Sequence, residues 1–174
     1  MFHLCGYPEI LHNLKSPVLA LREEGAEIEA VRDKIVDFKD RIHHQITVDD
    51  LFFLKRGGRI SATTAIAGSM LKVKPIIVMD KEGHLINVGK VRGRKAVLKE
   101  LFERLKSNIN IAELNYVYIS HADCIEDAKY LEAMVKEEYA QAEVVIGDIG
   151  PVIGAHTGPG GLALCYLGKT VKGE

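Results

Sequence analysis

From Lys74 to Leu167 the sequence alternates between short β-branched runs and longer stretches with apolar residues three and four apart, and this alternation constrains the fold most. Residues 74–80 read as a strand, with Pro75 near its start, where the missing donor can face away from the ladder. Asp80-Lys81-Glu82-Gly83 makes a turn, and residues 84–91 return as a hairpin partner. A helix follows with Val97, Leu98, Leu101, Phe102 and Leu105 on one face, then a strand over residues 116–120. Asp123 and Glu126 form a cap pair for a helix carrying Ala128, Leu131, Val135 and Tyr139, after which strands are expected at 144–147 and 162–167. Such an order predicts an α/β domain: a mixed β-sheet with helices packed on it.

The first half reads differently. Residues 1–45 are expected to be a helical lead-in and residues 46–174 the α/β domain. Ser16-Pro17 opens a helix, Ser capping and Pro in the first turn, and Gly25 ends it. Ile28, Val31, Ile35, Phe38 and Ile42 give a second helix one apolar stripe. Thr47-Val48-Asp49-Asp50 has the form of a capping box, and the short helix behind it turns Leu51 and Leu54 inward. That helix ends at Lys55-Arg56-Gly57-Gly58-Arg59, two glycines between cations. Ser61 then caps a helix over residues 62–71, whose small face (Ala62, Ala65, Ser69) lies beside Ile66 and Met70. Met surface of this kind also lines lipid pockets, although a core Met is the commoner case.

Composition narrows the function. Cys5, Cys124 and Cys165 are far apart and lack metal-ligand spacing, so they read as thiols of a reducing, cytoplasmic compartment. No apolar run approaches the ~20 residues of a membrane span. Between Lys55 and Lys95 ten Lys or Arg face only Asp80 and Glu82, although the whole chain is nearly neutral. Such segregation implies a positive patch for an anionic ligand or acidic partner. Aromatics are not interleaved with these cations, which argues against nucleic acid. No nucleophile has an evident base: Cys124 follows His121 by three residues, but nothing in the sequence orients the pair. His43 and His44 are adjacent and point apart, so no metal set converges.

What remains is Gly150-Pro151-Val152-Ile153-Gly154-Ala155-His156-Thr157-Gly158-Pro159-Gly160-Gly161. Its prolines fix φ and its glycines allow close approach, so it reads as a rigid loop between two buried strands. His156, Thr157 and several backbone N–H groups would then face one point, where a carboxylate or phosphate fits. A tight crossover with a surface histidine would account for the same residues.

The blocks Thr47-Val48-Asp49-Asp50-Leu51, Leu54-Lys55-Arg56-Gly57-Gly58-Arg59-Ile60-Ser61, Lys74-Pro75-Ile76, Val91-Arg92-Gly93-Arg94-Lys95 and Ile149 to Gly160 together resemble the signature of the DegV family, in the family's order. The resemblance implies a bacterial fatty-acid-binding protein, the binding subunit of a fatty acid kinase system, with catalysis on the partner kinase subunit and no cofactor. It implies a long-chain fatty acid held by His156, Thr157, Gly158 and Arg92, with Ile66, Met70 and Ile153 along the acyl chain. Arg56, Arg59 and Arg94 become candidates for phosphate or partner contact. Only the family's second domain is matched, so the first domain's head-group hydroxyls are expected to be missing, and an apolar interdomain face would favour a homodimer. Two other readings stand beside this one: a phosphotransfer or hydrolase enzyme using His156 and the basic cluster, and a dimerising fragment that binds no lipid.

Overall fold

A computed structural model describes residues 21–58, 73–110 and 116–170 of the 174-residue chain. The proposed start of the first helix at Ser16-Pro17, the helix over residues 62–71 and the residues Arg59, Ile66 and Met70 lie outside the described residues. The end of the first helix is described. Gly25 takes φ +75° and the Ala26 N–H bonds the Leu21 carbonyl at 2.9 Å, a six-to-one closure that satisfies a last-turn carbonyl.

Helix α1 (Ile28–Arg41) runs directly into β1 (Ile42–Thr47), and α2 (Leu51–Arg56) follows. The hairpin is β2 (Val73–Met79) and β3 (Leu85–Arg92), and α3 (Arg94–Asn108) comes next. The parallel unit is β4 (Tyr116–His121), α4 (Ile125–Glu138) and β5 (Glu143–Asp148). Helix α5 (Pro151–Thr157) and β6 (Leu162–Leu167) complete the order. All six strands form one sheet in the order β3-β2-β1-β6-β4-β5, antiparallel except for β4 and β5. The mixed α/β sheet is as expected.

Successive residues of a strand point to opposite faces, and the core divides accordingly. Val117 and Ile119 join Leu162, Leu164 and Tyr166 beneath α3 and α4. Tyr118 lies on the other face with Ile46, Ala163 and Cys165, together with Leu54 of α2 and Ile153 of α5. The sheet is therefore the middle of three layers.

Three local expectations are corrected. Residues 42–47 are a central strand: the helix stops at Arg41, and Ile42, which continues the helical stripe in sequence, instead pairs with Leu167. A boundary after residue 45 would cut through this strand. The helix itself is as expected, with Phe38 buried and Val31 and Ile35 half-buried along its stripe, while Ile28 is 76% exposed. Thr47 is a buried strand residue. The cap of α2 is Asp50, whose carboxylate accepts the Phe52 N–H at 2.8 Å. At α4 the N-cap position is Cys124, with no side-chain cap bond, because Asp123 is turned to φ +52°.

Candidate functional site

The histidine-bearing segment is a helix rather than a loop. Gly150 precedes Pro151 at the first helical position, where a missing N–H costs nothing. The Gly154 N–H bonds the Gly150 carbonyl and the Gly158 N–H bonds the Gly154 carbonyl, each at 2.8 Å. Gly158 ends the helix at φ 71° and ψ 177°, a region almost reserved for glycine. His156 and Thr157 thus occupy the last turn.

This turn is fixed against α2. The Phe53 ring packs so tightly on Gly158 that a Cβ there would lie 2.5 Å from the ring. Gly57 does the same for the histidine: a Cβ on Gly57 would overlap the imidazole at Nδ1. Leu54 and Ile153 close the interface beneath as members of one apolar cluster. Arg56 lies over the opposite partner of this contact, its guanidinium 4.5 Å from the Phe53 ring centroid.

Beyond Gly158 the chain is strapped to the end of β4. The Gly160 N–H bonds the Ala122 carbonyl, and the Ala122 N–H bonds the Gly161 carbonyl, both at 2.8 Å. The Gly161 N–H turns back to the Gly158 carbonyl. The cradle of glycine amides expected for an anion is therefore absent at Gly158, Gly160 and Gly161, whose donors all close the backbone. Thr157 is likewise occupied, donating its hydroxyl to the Ile153 carbonyl at 3.2 Å. Of the residues expected to meet a head group in this segment, His156 is the one whose side chain reaches the α2 edge.

The cations separate into two kinds. Arg94 is inside an ion network: its Nε meets Asp127 at 2.7 Å and its Nη1 meets Asp49 at 3.2 Å. Lys74, nearly buried, holds the same Asp49 at 2.8 Å. Asp49 also packs against Gly160, whose φ of +78° and lack of a Cβ admit it. Arg94 thus ties α3, α4 and the end of β1 together, its guanidinium engaged by two carboxylates. Arg92 ends β3 on the exposed surface, opposite Val73, and Arg56 is also exposed. These two remain open to an anion.

Cys124 belongs to the network rather than to catalysis. Its thiol donates to the Gly161 carbonyl at 3.4 Å, and Arg94 approaches the sulfur at 3.5 Å. Burial pushes the thiol up despite the pull of Arg94, so it stays protonated and a poor nucleophile. His121 lies on β4 with Nε2 3.6 Å from Asp148 rather than on Cys124. Of the positioning residues, Phe53 and Asp127 were not picked out by sequence reading, while Asp49, Gly57 and Lys74 stood in the quoted blocks without these roles.

A model of the DegV family, a family described as an uncharacterised protein, matches residues 16–169. A DegV domain-containing protein of Clostridium perfringens is 41% identical over 150 residues, which are 86% of this chain and 52% of that protein. The chain spans about half the length of the curated relatives it matches. Among solved structures, a fatty acid binding DegV family protein from Streptococcus agalactiae is 30% identical, with a TM-score of 0.75 over 91% of this chain and 56% of that one. The Fak B3 protein of the Streptococcus pneumoniae fatty acid kinase, loaded with linoleic acid, shares the fold at 18% identity and a TM-score of 0.78, covering 88% and 54%. Among the described residues no helix is long and apolar enough to cross a membrane.

Proposed function

This chain belongs to the DegV family, and on that basis we propose that it is the part of a fatty-acid-binding protein that receives the acyl chain, with the carboxylate near His156 and no catalysis of its own. The observation that carries this reading is the seat of His156. It stands in the last turn of α5 against a glycine that leaves room for its ring, while the neighbouring glycine amides are closed on the backbone. The 30% identity to a fatty acid binding protein over most of the chain supports the same ligand.

The acyl chain would run over the apolar layer that contains Ile153, with Ile66 and Met70 as further contacts. Each buried CH₂ contributes ~0.8 kcal/mol, so little polar recognition is needed beyond the head group. Arg92 and Arg56 serve the anionic end or a kinase subunit. Phe52, 60% exposed, and Val152, 71% exposed, stand on the outer sides of α2 and α5. They offer an apolar contact to the family's other domain or to a second copy. The ion pairs of Arg94 remove a cation that a phosphotransfer enzyme would need.

Palmitate labelled with ¹³C at its carboxyl, titrated into the folded chain, tests the proposal. A saturable carboxyl shift that weakens in His156→Ala, with organic extracts of the purified protein yielding fatty acid, is the expected result. A folded chain that neither shifts the carboxyl signal nor carries lipid would sink it.

A further inference from the structure

On the α3 side of the sheet, away from His156, a cleft of about 470 Å³ opens between the hairpin strands and the C-terminal half of α3. Val78, Met79, Ile86 and Val88 supply its apolar wall, and Ile86 and Val88 are more than 40% exposed there. An apolar wall alone would say nothing about an occupant. Its polar floor does.

Gln45 of the central strand β1 lines the floor of this cleft. It is only 6% exposed, and its Oε1 has no hydrogen-bond partner among the described residues. The amide nitrogen of Gln45 donates to the Tyr166 hydroxyl at 3.3 Å. Tyr166 in turn donates to the Arg104 carbonyl at 3.3 Å, and the Ser107 hydroxyl donates to that same carbonyl at 2.8 Å. Both neighbouring hydroxyl protons therefore point at α3, and neither reaches Gln45 Oε1. Burial keeps Tyr166 protonated, with its pKa pushed up to about 12, so the polarity of this chain does not reverse in the ordinary pH range. A buried carbonyl left without a donor costs free energy, which a ligand donor would recover once the side chain turns this shielded oxygen to the cleft.

The charges around the cleft are already compensated. Arg104 is held by Glu100 at 3.0 Å. The Asp80 carboxylate accepts the His84 N–H at 2.7 Å and faces the His84 ring at 3.2 Å. Neither of these residues presents a bare charge, and Gln45 Oε1 is an acceptor, which repels a carboxylate.

We propose that this cleft is a second ligand site, distinct from the one near His156, which binds a neutral hydroxyl-bearing amphiphile by donating its O–H to Gln45 Oε1 and laying its apolar body on Val78, Ile86 and Val88. The proposal does not depend on fatty acid binding.

The test uses 1-hexanol, 1-methoxyhexane and hexanoate as probes, titrated separately into the isotope-labelled chain. The Gln45 side-chain amide and the Ile86 and Val88 methyl signals are followed. The expected result is saturable binding of the alcohol, roughly three- to ten-fold tighter than the ether because only the alcohol can donate, with hexanoate weakest. In Gln45→Met the alcohol should lose its advantage over the ether. Equal affinity of alcohol and ether for the unmodified chain would overturn the proposal, whatever the variant does. So would shifts that fail to saturate, or that fall on Leu54 and Ile153 instead.

Discussion

Replacing Arg94 by Met removes a guanidinium while keeping most of the stem, so it isolates the ion network at the junction of α3, α4 and β1. Two carboxylates lose a partner, but not equally. Asp49 keeps Lys74 at 2.8 Å, whereas Asp127 loses its contact at 2.7 Å and has no other ion-pair partner among the described residues. A hydrogen bond between charged groups contributes ~1.5–3 kcal/mol. The Asp127 side chain is 30% exposed, so water replaces part of that, and position in the first turn of α4 leaves it a favourable helix dipole. A net loss of about 1–2 kcal/mol follows, which for a chain of this size lowers Tm by roughly 2–8 °C. Arg92→Met is the comparison, since exposed substitutions usually stay within about 0.5 kcal/mol. Chemical denaturation of both variants in low and high salt reads the difference. The double cycle of Arg94→Met with Asp127→Asn should return a coupling of about 1 kcal/mol. If Arg94→Met and Arg92→Met proved equally mild, Arg94 would not be a structural tie and its assignment to ligand or partner contact would reopen.

Gly57→Ala should leave stability within about 1 kcal/mol, because Gly57 already has helical angles and the gain in backbone restriction offsets a displaced ring. It should nonetheless move the His156 ring signals in NMR and weaken palmitate by roughly ten-fold or more, the size of a lost charge-assisted bond. Unmoved signals would contradict the packing of His156 on Gly57. Gly158→Ala combines a positive φ with the Phe53 ring at 2.5 Å and should cost about 2–4 kcal/mol by denaturant titration, while a loss below 1 kcal/mol would refute the tight fit. Tyr166 ionises at about 12 when folded and at about 10 when unfolded, so the unfolded chain releases the proton first. Its stabilising contribution is full below pH 10 and disappears between pH 10 and 12, a decline of ~2–3 kcal/mol that Tyr166→Phe should flatten.

Where periodicity and burial coincide, the sequence predicts the elements well, as in the hairpin, in α3 and in β6, whose expected span of residues 162–167 matches Leu162–Leu167. Strand β1 escaped because Ile42 falls in step with Phe38 as a helical neighbour. Its own alternation is also hidden, since His43, Gln45 and Thr47 on one face and His44 on the other put polar groups on both sides. Helix α5 escaped for another reason. Seven residues containing Pro151 and Gly154 have little intrinsic helicity, and packing of Ile153 and Gly158 on α2 decides the matter. For the site, the glycines were visible but their partners were not. Gly57 against His156 joins residues far apart in the chain, and no local spacing encodes that. Arg94 was visible as one of a cationic run, but the acids that neutralise it come from β1's end and from α4.

The placing of β1 at the middle of the sheet also bears on how the chain is made. Its partner β6 is synthesised about 120 residues later, and contacts so distant in sequence close slowly. While a ribosome is still extending the chain, the β2–β3 hairpin and the β4–α4–β5 unit can form from neighbouring residues, yet they remain unjoined. The last of the six described strands is the one that bridges them, pairing with β1 on one side and β4 on the other. Loss of a few residues from β6 would therefore leave two half-sheets with open edges, and a nascent chain stalled before Leu162 would need a chaperone to shield them.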